Sequence, residues 1–301
     1  MAGTANTLAT LSDELALLVA RAAASIVGVE SGGRLPSSGI HWRPGVVVTA
    51  EEVLERDDGI TVTLPGGRQL AATLAGRDPS TDVAVLRLEA NGLAVAKTAT
   101  AGGLKSGQLA LAIGSHDGMP VSSLGIVAYA GGPWQSQRGG TIEALIRLDL
   151  GLSPVAEGGA FVDGEGRVVG MAVTGPRRRV LAIPAETIDR SVDQLLAKGY
   201  VGRGYLGAGL KPVRLAQRAA GAGEERSGVL IVSLDPDGPA ARAGLLIGDI
   251  VTAWDAKPVG RVREVMRLLG PDSIGKEVRL TLLRGGAPAE IKIIIGERKL
   301  A

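Results

Sequence analysis

Between residues 25 and about 183 the chain never runs far without a turn residue. Short apolar runs, "SIVGVE", "GVVVTA", "GITVTLP", "QLAATLAG", "DVAVLRLE", "QLALAIG", "EALIRLDL" and "RVVGMAV", are divided by Gly, Asp and Pro. Runs of this length, rich in Val, Ile and Leu and closely spaced, predict an all-β sandwich or barrel. One small barrel does not need so many strands, so two packed barrels are expected over 25–184. Hydrophobic residues make up 45% of the chain, enough for a packed core, but aromatic residues only 2%. Val, Ile, Leu and Ala must therefore fill the interior.

The flanking segments have a different texture. Residues 1–24 contain "LATLSDELALLVARAAA", where Leu15, Leu18, Val19 and Ala22 recur at helical spacing and Ser12 is a candidate N-cap. This predicts an amphipathic helix over 8–24. Residues 185–200 read as a helical connector. Pro184 precedes it, Ile188, Val192, Leu195 and Leu196 form a stripe, and Gly199 is a candidate C-cap. Residues 201–297 mix short strands with two short helical stretches, the pattern of a compact α+β module. The 301 residues thus divide into two or three domains, at roughly 100–200 residues each.

Composition excludes several kinds of chemistry. There is no cysteine, hence no disulfide or thiolate, and the two histidines, His41 and His116, are too few for a multi-His metal site. No cofactor is expected. Lys and Arg total 33 against 31 Asp and Glu. The densest basic run, Arg177-Arg178-Arg179, reads as a solvated hairpin tip. With few aromatic residues to stack on bases, nucleic acid is not an expected partner. No run reaches the ~18 apolar residues of a membrane span, and no export signal is read at the N-terminus.

The C-terminal module carries Tyr205-Leu206-Gly207-Ala208, then "GPAARAGL" at 238–245, Gly248-Asp249-Ile250-Val251 and Gly260 before a helix. It resembles a PDZ domain of the type attached to bacterial proteases. That resemblance implies a peptide receptor. Backbone N–H groups around Tyr205–Ala208 would hold a terminal carboxylate, and the peptide would add as a strand to a sheet edge. Leu206, Ala208, Val262 and Met266 would line the pocket for its last side chain.

The first 200 residues resemble the HtrA (Deg-type) serine proteases, whose fold is a trypsin-like double β-barrel. The matching stretches are "DPSTDVAVLRLE" (78–89), "AIGSHDG" (112–118), "SSLGIVA" (122–128) and "LDLGLSPVAEGGAFVDGEGRVVGMAV" (148–173). The resemblance puts the triad aspartate at Asp82. It puts the histidine at Glu52 and the nucleophilic serine at Glu157. The glycine two residues before the nucleophile is Val155.

These departures remove the ordinary chemistry. A serine attacks an amide only when a neighbouring imidazole takes its proton. Glutamate at 157 has no hydroxyl, and a carboxylate at 52, with an ordinary pKa near 4.3, is a weak base. Ser153, four residues upstream, is expected to face elsewhere, and the adjacent Ser115-His116 pair does not suit a nucleophile and its base. The expected function is that of a catalytically inactive HtrA relative, acting through its PDZ domain on C-terminal or unfolded segments of other proteins. The alternative is an enzyme using the carboxylates of Glu52, Asp82 and Glu157, either around Ca²⁺ or Mg²⁺ or by sharing a proton to activate water. The family commonly forms trimers through residues near the N-terminus, often aromatic. No Phe, Tyr or Trp precedes Trp42 here, so that contact is not expected. The family is largely extracytoplasmic.

Overall fold

The computed structural model describes residues 6–33, 35–215 and 227–298. The chain divides into two compact units, 1–200 and 201–301.

The first unit holds two closed six-stranded barrels. Strands β1 (Ile26–Glu30), β2 (Ser37–Arg43), β3 (Val46–Thr49), β4 (Ile60–Thr63), β5 (Gln69–Asp78) and β6 (Val83–Leu88) close in the order β1-β2-β3-β6-β5-β4. Their inward side chains, among them Val27, Val29, Val47, Ile60, Val62 and Leu86, form one core. In β6, "VAVLRL", only Arg87 is exposed, as a strand covered on both faces requires. Strands β7 (Leu109–His116) and β8 (Met119–Gly131) open the second barrel. A two-stranded excursion follows, β9 (Trp134–Gln135) with β10 (Thr141–Ile142). Then β11 (Leu145–Asp149), β12 (Ala160–Val162), β13 (Val168–Gly175) and β14 (Arg179–Pro184) complete the ring β11-β14-β13-β12-β7-β8. The chain's single phenylalanine, Phe161, is fully buried at its centre beside Val127, Ile146 and Val169. Arg177 and Arg178 sit in the β13–β14 hairpin tip with φ of +60° and +56°, exposed as expected.

Helix α1 (Thr7–Ala23) buries Leu18 and Ala22, as its stripe predicts. Its cap differs from expectation. Asn6, not Ser12, accepts the N–H of Ala9, so the helix starts one turn earlier and Ser12 lies inside it. Helix α2 (Ala185–Lys198) ends at Gly199 with φ +80°, the left-handed C-cap that only glycine adopts cheaply. It does not hang between units. It packs on the first unit's barrels: Asp189 accepts from the Trp42 indole at 2.8 Å and from Arg43 at 2.9 Å. Among the described residues no helix is long and apolar enough to cross a membrane.

The barrels meet at Ser38, which is fully buried. Its N–H donates to the Glu157 carbonyl at 2.8 Å and its hydroxyl to the Val155 carbonyl at 2.5 Å. The same hydroxyl accepts the N–H of Ser115 at 2.8 Å, while the Ser38 carbonyl accepts from the Thr49 hydroxyl at 2.7 Å. One residue of β2 thus ties β3, β7 and the loop before β12.

The second unit has a sheet in the order β16-β17-β18-β20-β21, built from β16 (Ala208–Arg214), β17 (Ser227–Leu234), β18 (Ile250–Trp254), β20 (Glu277–Arg284) and β21 (Ala287–Ile294). The short β19 (Lys257–Pro258) pairs with β18, and β15 (Arg203–Tyr205) pairs with β22 (Gly296–Arg298). Trp254, Ile231, Leu280, Leu282 and Ile293 fill the core, closed by the helices Pro239–Arg242 and Val262–Leu268. Asp249, 1% exposed, is held by Arg284 through two bonds of 2.9 and 2.7 Å. That guanidinium keeps its carboxyl below the usual range.

Replacing Ser38 by alanine strands the Ser115 N–H and the Val155 carbonyl. Two buried polar groups left unpaired cost on the order of 2–4 kcal/mol. Urea unfolding of the first unit is expected to show that loss, and a change below about 0.5 kcal/mol would contradict it.

Candidate functional site

The segment 78–82 is shaped by a buried aspartate. Asp78 is 1% exposed and accepts the N–H of Ser80 at 3.0 Å and the hydroxyls of Ser80 and Thr81 at 2.5 Å. The tight turn this forces delivers Asp82 with φ +59°, a left-handed conformation that aspartate tolerates better than most residues. Asp82 then clamps the neighbouring 3₁₀ turn Glu51–Val53. Its carbonyl accepts the N–H of Glu51 at 3.3 Å and its Oδ1 the N–H of Glu52 at 3.0 Å.

Glu52 projects outward and pairs with Arg138 at 3.3 Å. Glu51, buried, sits between Arg77 and Arg138 at 3.2 Å from each. Glu157 is held across the loop. Its Oε1 accepts the N–H of Thr174 at 2.7 Å and its Oε2 the Thr174 hydroxyl at 2.8 Å. Glu157 is therefore fixed on β13.

The loop before it is a 3₁₀ turn, Pro154–Ala156. Within this turn Val155 keeps a negative φ, which a β-branched residue adopts without strain. The N–H of Glu157 is spent on the Pro154 carbonyl at 3.2 Å, so it is turned away from any developing oxyanion. The glycine pair that follows answers to packing. A Cβ on Gly158, whose φ is +80°, would lie 2.4 Å from the Ser38 carbonyl oxygen, and one on Gly159 2.3 Å from that of Ile113.

Neither histidine reaches a serine. His41 is buried, with Nδ1 donating to the Ala94 carbonyl at 2.8 Å and Nε2 accepting the N–H of Gly45 at 3.2 Å, which assigns a neutral imidazole. His116 is exposed beside Asp117, and the Ser115 side chain is buried. Ser153 gives its carbonyl to Ala156.

Electrostatics at Asp82 follow from this arrangement. Burial, and secondarily the charges of Glu52, Glu157 and Glu51, push its carboxyl up from 3.8 to about 7. The three carboxylates share an electrostatic environment but not a ligand sphere. Both oxygens of Glu157 are taken by Thr174, and Glu52 faces Arg138. Among the described residues no group of three or more His, Cys, Asp or Glu side chains is placed to hold a metal ion. The expectation of a cation held by Glu52, Asp82 and Glu157 finds no support in this geometry. Thr174 and Arg138, which decide it, lie 17 residues from Glu157 and 86 from Glu52, beyond what local spacing reveals. Beside Asp82 and Glu52 lies a cleft of about 410 Å³ whose apolar wall includes Trp134, Ile142 and Val173.

In the second unit, among the described residues, β16 is an edge strand whose pairing partner is β17. The turn into it has Gly207 at φ +74°. Leu206 and Gly207 commit their carbonyls, to the N–H groups of Ala240 at 2.8 Å and Asp235 at 2.9 Å, not their own N–H groups. Tyr205 donates its hydroxyl to Asp235 at 2.9 Å. Leu206 lies deeper than the other residues of the expected pocket. It is 4% exposed and belongs to the core, because its carbonyl bond to Ala240 draws the residue inward. Ala208 and Val262 pack at the margin of that core, and Met266 is 44% exposed beside them.

Residues 37–171 match the family described as trypsin-like peptidase domain, and residues 204–295 the PDZ domain. A probable periplasmic serine endoprotease, DegP-like, of Halomonas elongata is 34% identical over 260 residues, covering 84% of this chain and 54% of its own length. Its counterpart from Pseudomonas fulva is 32% identical over 269 residues, 87% of this chain and 56% of its own. The chain thus spans about half the length of these curated relatives. Among solved structures, the HtrA-type protease AlgW with decapeptide superposes with a TM-score of 0.76 at 26% identity, over 95% of this chain and 99% of its own. The serine endoprotease from Yersinia pestis gives 0.74 at 27%, over 94% and 97%.

The sign of the Asp82 effect is testable. A carboxyl raised to about 7 in the folded state and near 3.8 in the unfolded state makes stability fall as pH rises between those values. Asp82→Asn keeps the acceptor for the Glu52 N–H and tolerates the positive φ, but removes the charge. It is expected to stabilise the first unit at pH 8 by roughly 2–4 kcal/mol, and by almost nothing at pH 4. Urea unfolding at both pH values checks this. An increment equal at the two, or larger at pH 4, refutes it.

Proposed function

Because the chain belongs to the HtrA (Deg) family, a trypsin-like pair of barrels followed by a PDZ domain, we propose that it is a catalytically silent member that captures peptide segments of other proteins. The observation that carries the proposal is Glu157. A carboxylate occupies the nucleophile position and is tied by both oxygens to Thr174. Acyl transfer needs a hydroxyl or thiol there, a base beside it and two N–H donors aimed at the oxyanion. Here the first is absent, the base position is a glutamate paired with Arg138, and the Glu157 N–H is spent within its own turn. Losing members of such a triad costs on the order of 10⁴–10⁶ in rate.

Peptide capture rests on the second unit. An edge strand offers a free row of backbone donors and acceptors, and a peptide can pair with it. The turn Tyr205–Ala208 holds N–H groups at the strand's start for a terminal carboxylate, with Ala208, Val262 and Met266 forming the apolar side of the groove. Related HtrA-type structures are described with a decapeptide and with a tripeptide, which supports the same use here. The curated relatives are named endoproteases. The silent reading therefore separates this chain from them in activity, not in fold.

Incubation with an unfolded protein substrate is expected to yield no fragments. Specific cleavage that disappears in Glu157→Ala would overturn the silent reading. In a separate titration, a peptide with an apolar last residue and a free carboxylate is expected to bind at least about tenfold tighter than its C-terminal amide. Equal affinities would rule out carboxylate capture.

A further inference from the structure

The groove of the second unit has a direction. Gly204, just before the turn Tyr205–Ala208, donates its N–H to the Leu269 carbonyl at 3.1 Å. The turn therefore lies at the C-terminal end of the helix Val262–Leu268. Leu215, beyond the other end of β16, shares one cavity with Arg261, the residue before that helix. The far end of β16 thus lies at the helix N-terminus. A peptide paired antiparallel to β16 with its carboxylate at the turn must run its preceding residues toward Arg214 and Arg261.

That path is lined with cations. Arg214 is exposed at the far end of β16, while Lys211, one residue after the core-packed Leu210, is exposed on the strand's other face. Arg261, Arg263 and Arg267 are exposed on or beside the helix. The helical repeat puts Arg263 and Arg267 one turn apart and next to Met266, while Val265 and Leu269 face the core. The helix carries one acid, Glu264. Its carboxylate is committed to the N–H groups of Gly260 and Arg261, at 2.8 and 3.0 Å. None of the five cations forms a salt bridge among the described residues. Elsewhere in the unit Arg284 pairs with Asp249 and Lys292 with Glu277, while Arg242, Lys257 and Lys276, like these five, form no salt bridge among the described residues. Cations that form no salt bridge among the described residues, grouped on the helix and at the far end of an open strand edge, favour a ligand of the opposite sign.

We propose that the groove between β16 and the helix Val262–Leu268 selects C-terminal peptide segments that carry acidic side chains shortly before an apolar last residue. The inference rests on the peptide-capture reading and adds the chemistry of its ligand. Each exposed pair contributes little alone, so the preference comes from several cations acting on one short stretch, and it weakens with salt.

The test uses the full chain and three fluorescent peptides of about ten residues with the same two C-terminal valines. Upstream they carry glutamates, serines or lysines. At about 50 mM salt the glutamate peptide is expected to bind at least about tenfold tighter than the lysine peptide, with the serine peptide between them. At about 500 mM salt the gap is expected to close to within about threefold. The double variant Arg263→Glu, Arg267→Glu, shown folded by its thermal melt, is expected to lose or invert the preference. Glutamate and lysine peptides binding within about twofold of each other at low salt would overturn the inference while leaving peptide capture intact. A preference unchanged in the double variant would overturn the assignment to this groove. Binding by none of the three peptides would overturn peptide capture, and the inference with it.

Discussion

The first unit depends on one buried serine. Ser38 uses its N–H and its hydroxyl in both directions to join the first barrel to a strand and a loop of the second, and its carbonyl to hold Thr49 within the first. In a dry interior each of these bonds is worth more as an obligation than as a gain, since breaking one leaves its partner without water. The loop 154–159 is therefore not free to choose its path. It must place the Val155 and Glu157 carbonyls on Ser38 and must pass close to Ile113 and Thr49. Gly158 and Gly159 are the residues that allow this, because any Cβ there meets backbone oxygen.

On the silent reading proposed above, that constraint separates what the chain must keep from what it can lose. The Gly-Gly pair looks like a remnant of catalysis, yet the barrels need it whatever residue precedes it. Asp82 reads the same way. Its carboxyl and carbonyl hold the turn of Glu51 and Glu52, a task independent of any imidazole. The three positions that differ from the family pattern, Glu52, Val155 and Glu157, are those where the fold asks for little. Glu52 is exposed, Val155 sits in a turn open to any residue with negative φ, and Glu157 needs only its backbone carbonyl to satisfy Ser38.

Much of the architecture was legible in the sequence because it is written locally. Helix α2 announces itself by Pro184, its apolar stripe and Gly199, and the structure reproduces all three. Strands such as β6 and β13 are continuous apolar runs and could hardly be anything else. Strand β2, "SSGIHWR", has no such run, although six of its seven residues are buried. Its polar groups are burial-compatible only because Ser38 and His41 find partners far away in the chain. The Glu157–Thr174 contact and the pairing of Glu52 with Arg138 were illegible for the same reason. The carboxylates expected at triad positions could repel, share an ion, turn to solvent or pair with an Arg or Lys, and the hydroxyl and guanidinium that hold them come from other elements. The depth of Leu206 was illegible for another reason. It sits within a motif whose neighbours serve the groove, but the bond of its carbonyl to Ala240 turns it into the core.

On the proposed silent reading, the charge at Asp82 makes serine chemistry hard to restore piecemeal. In a working triad the aspartate must stay ionised to orient the imidazole and stabilise it when it takes up a proton. Here the surrounding acids and burial push its carboxyl up to about 7, so near neutral pH it is protonated about half the time. A serine at 157 alone would meet a glutamate at 52 and a partly neutral Asp82. A histidine at 52 alone would relieve one of the acids acting on Asp82 and provide a cation to pair with it, but would still face a carboxylate at 157. Each single reversal leaves at least one charge of the wrong sign within the site. On the proposed silent reading, the electrostatic environment separates this chain from an active protease as much as the missing hydroxyl does.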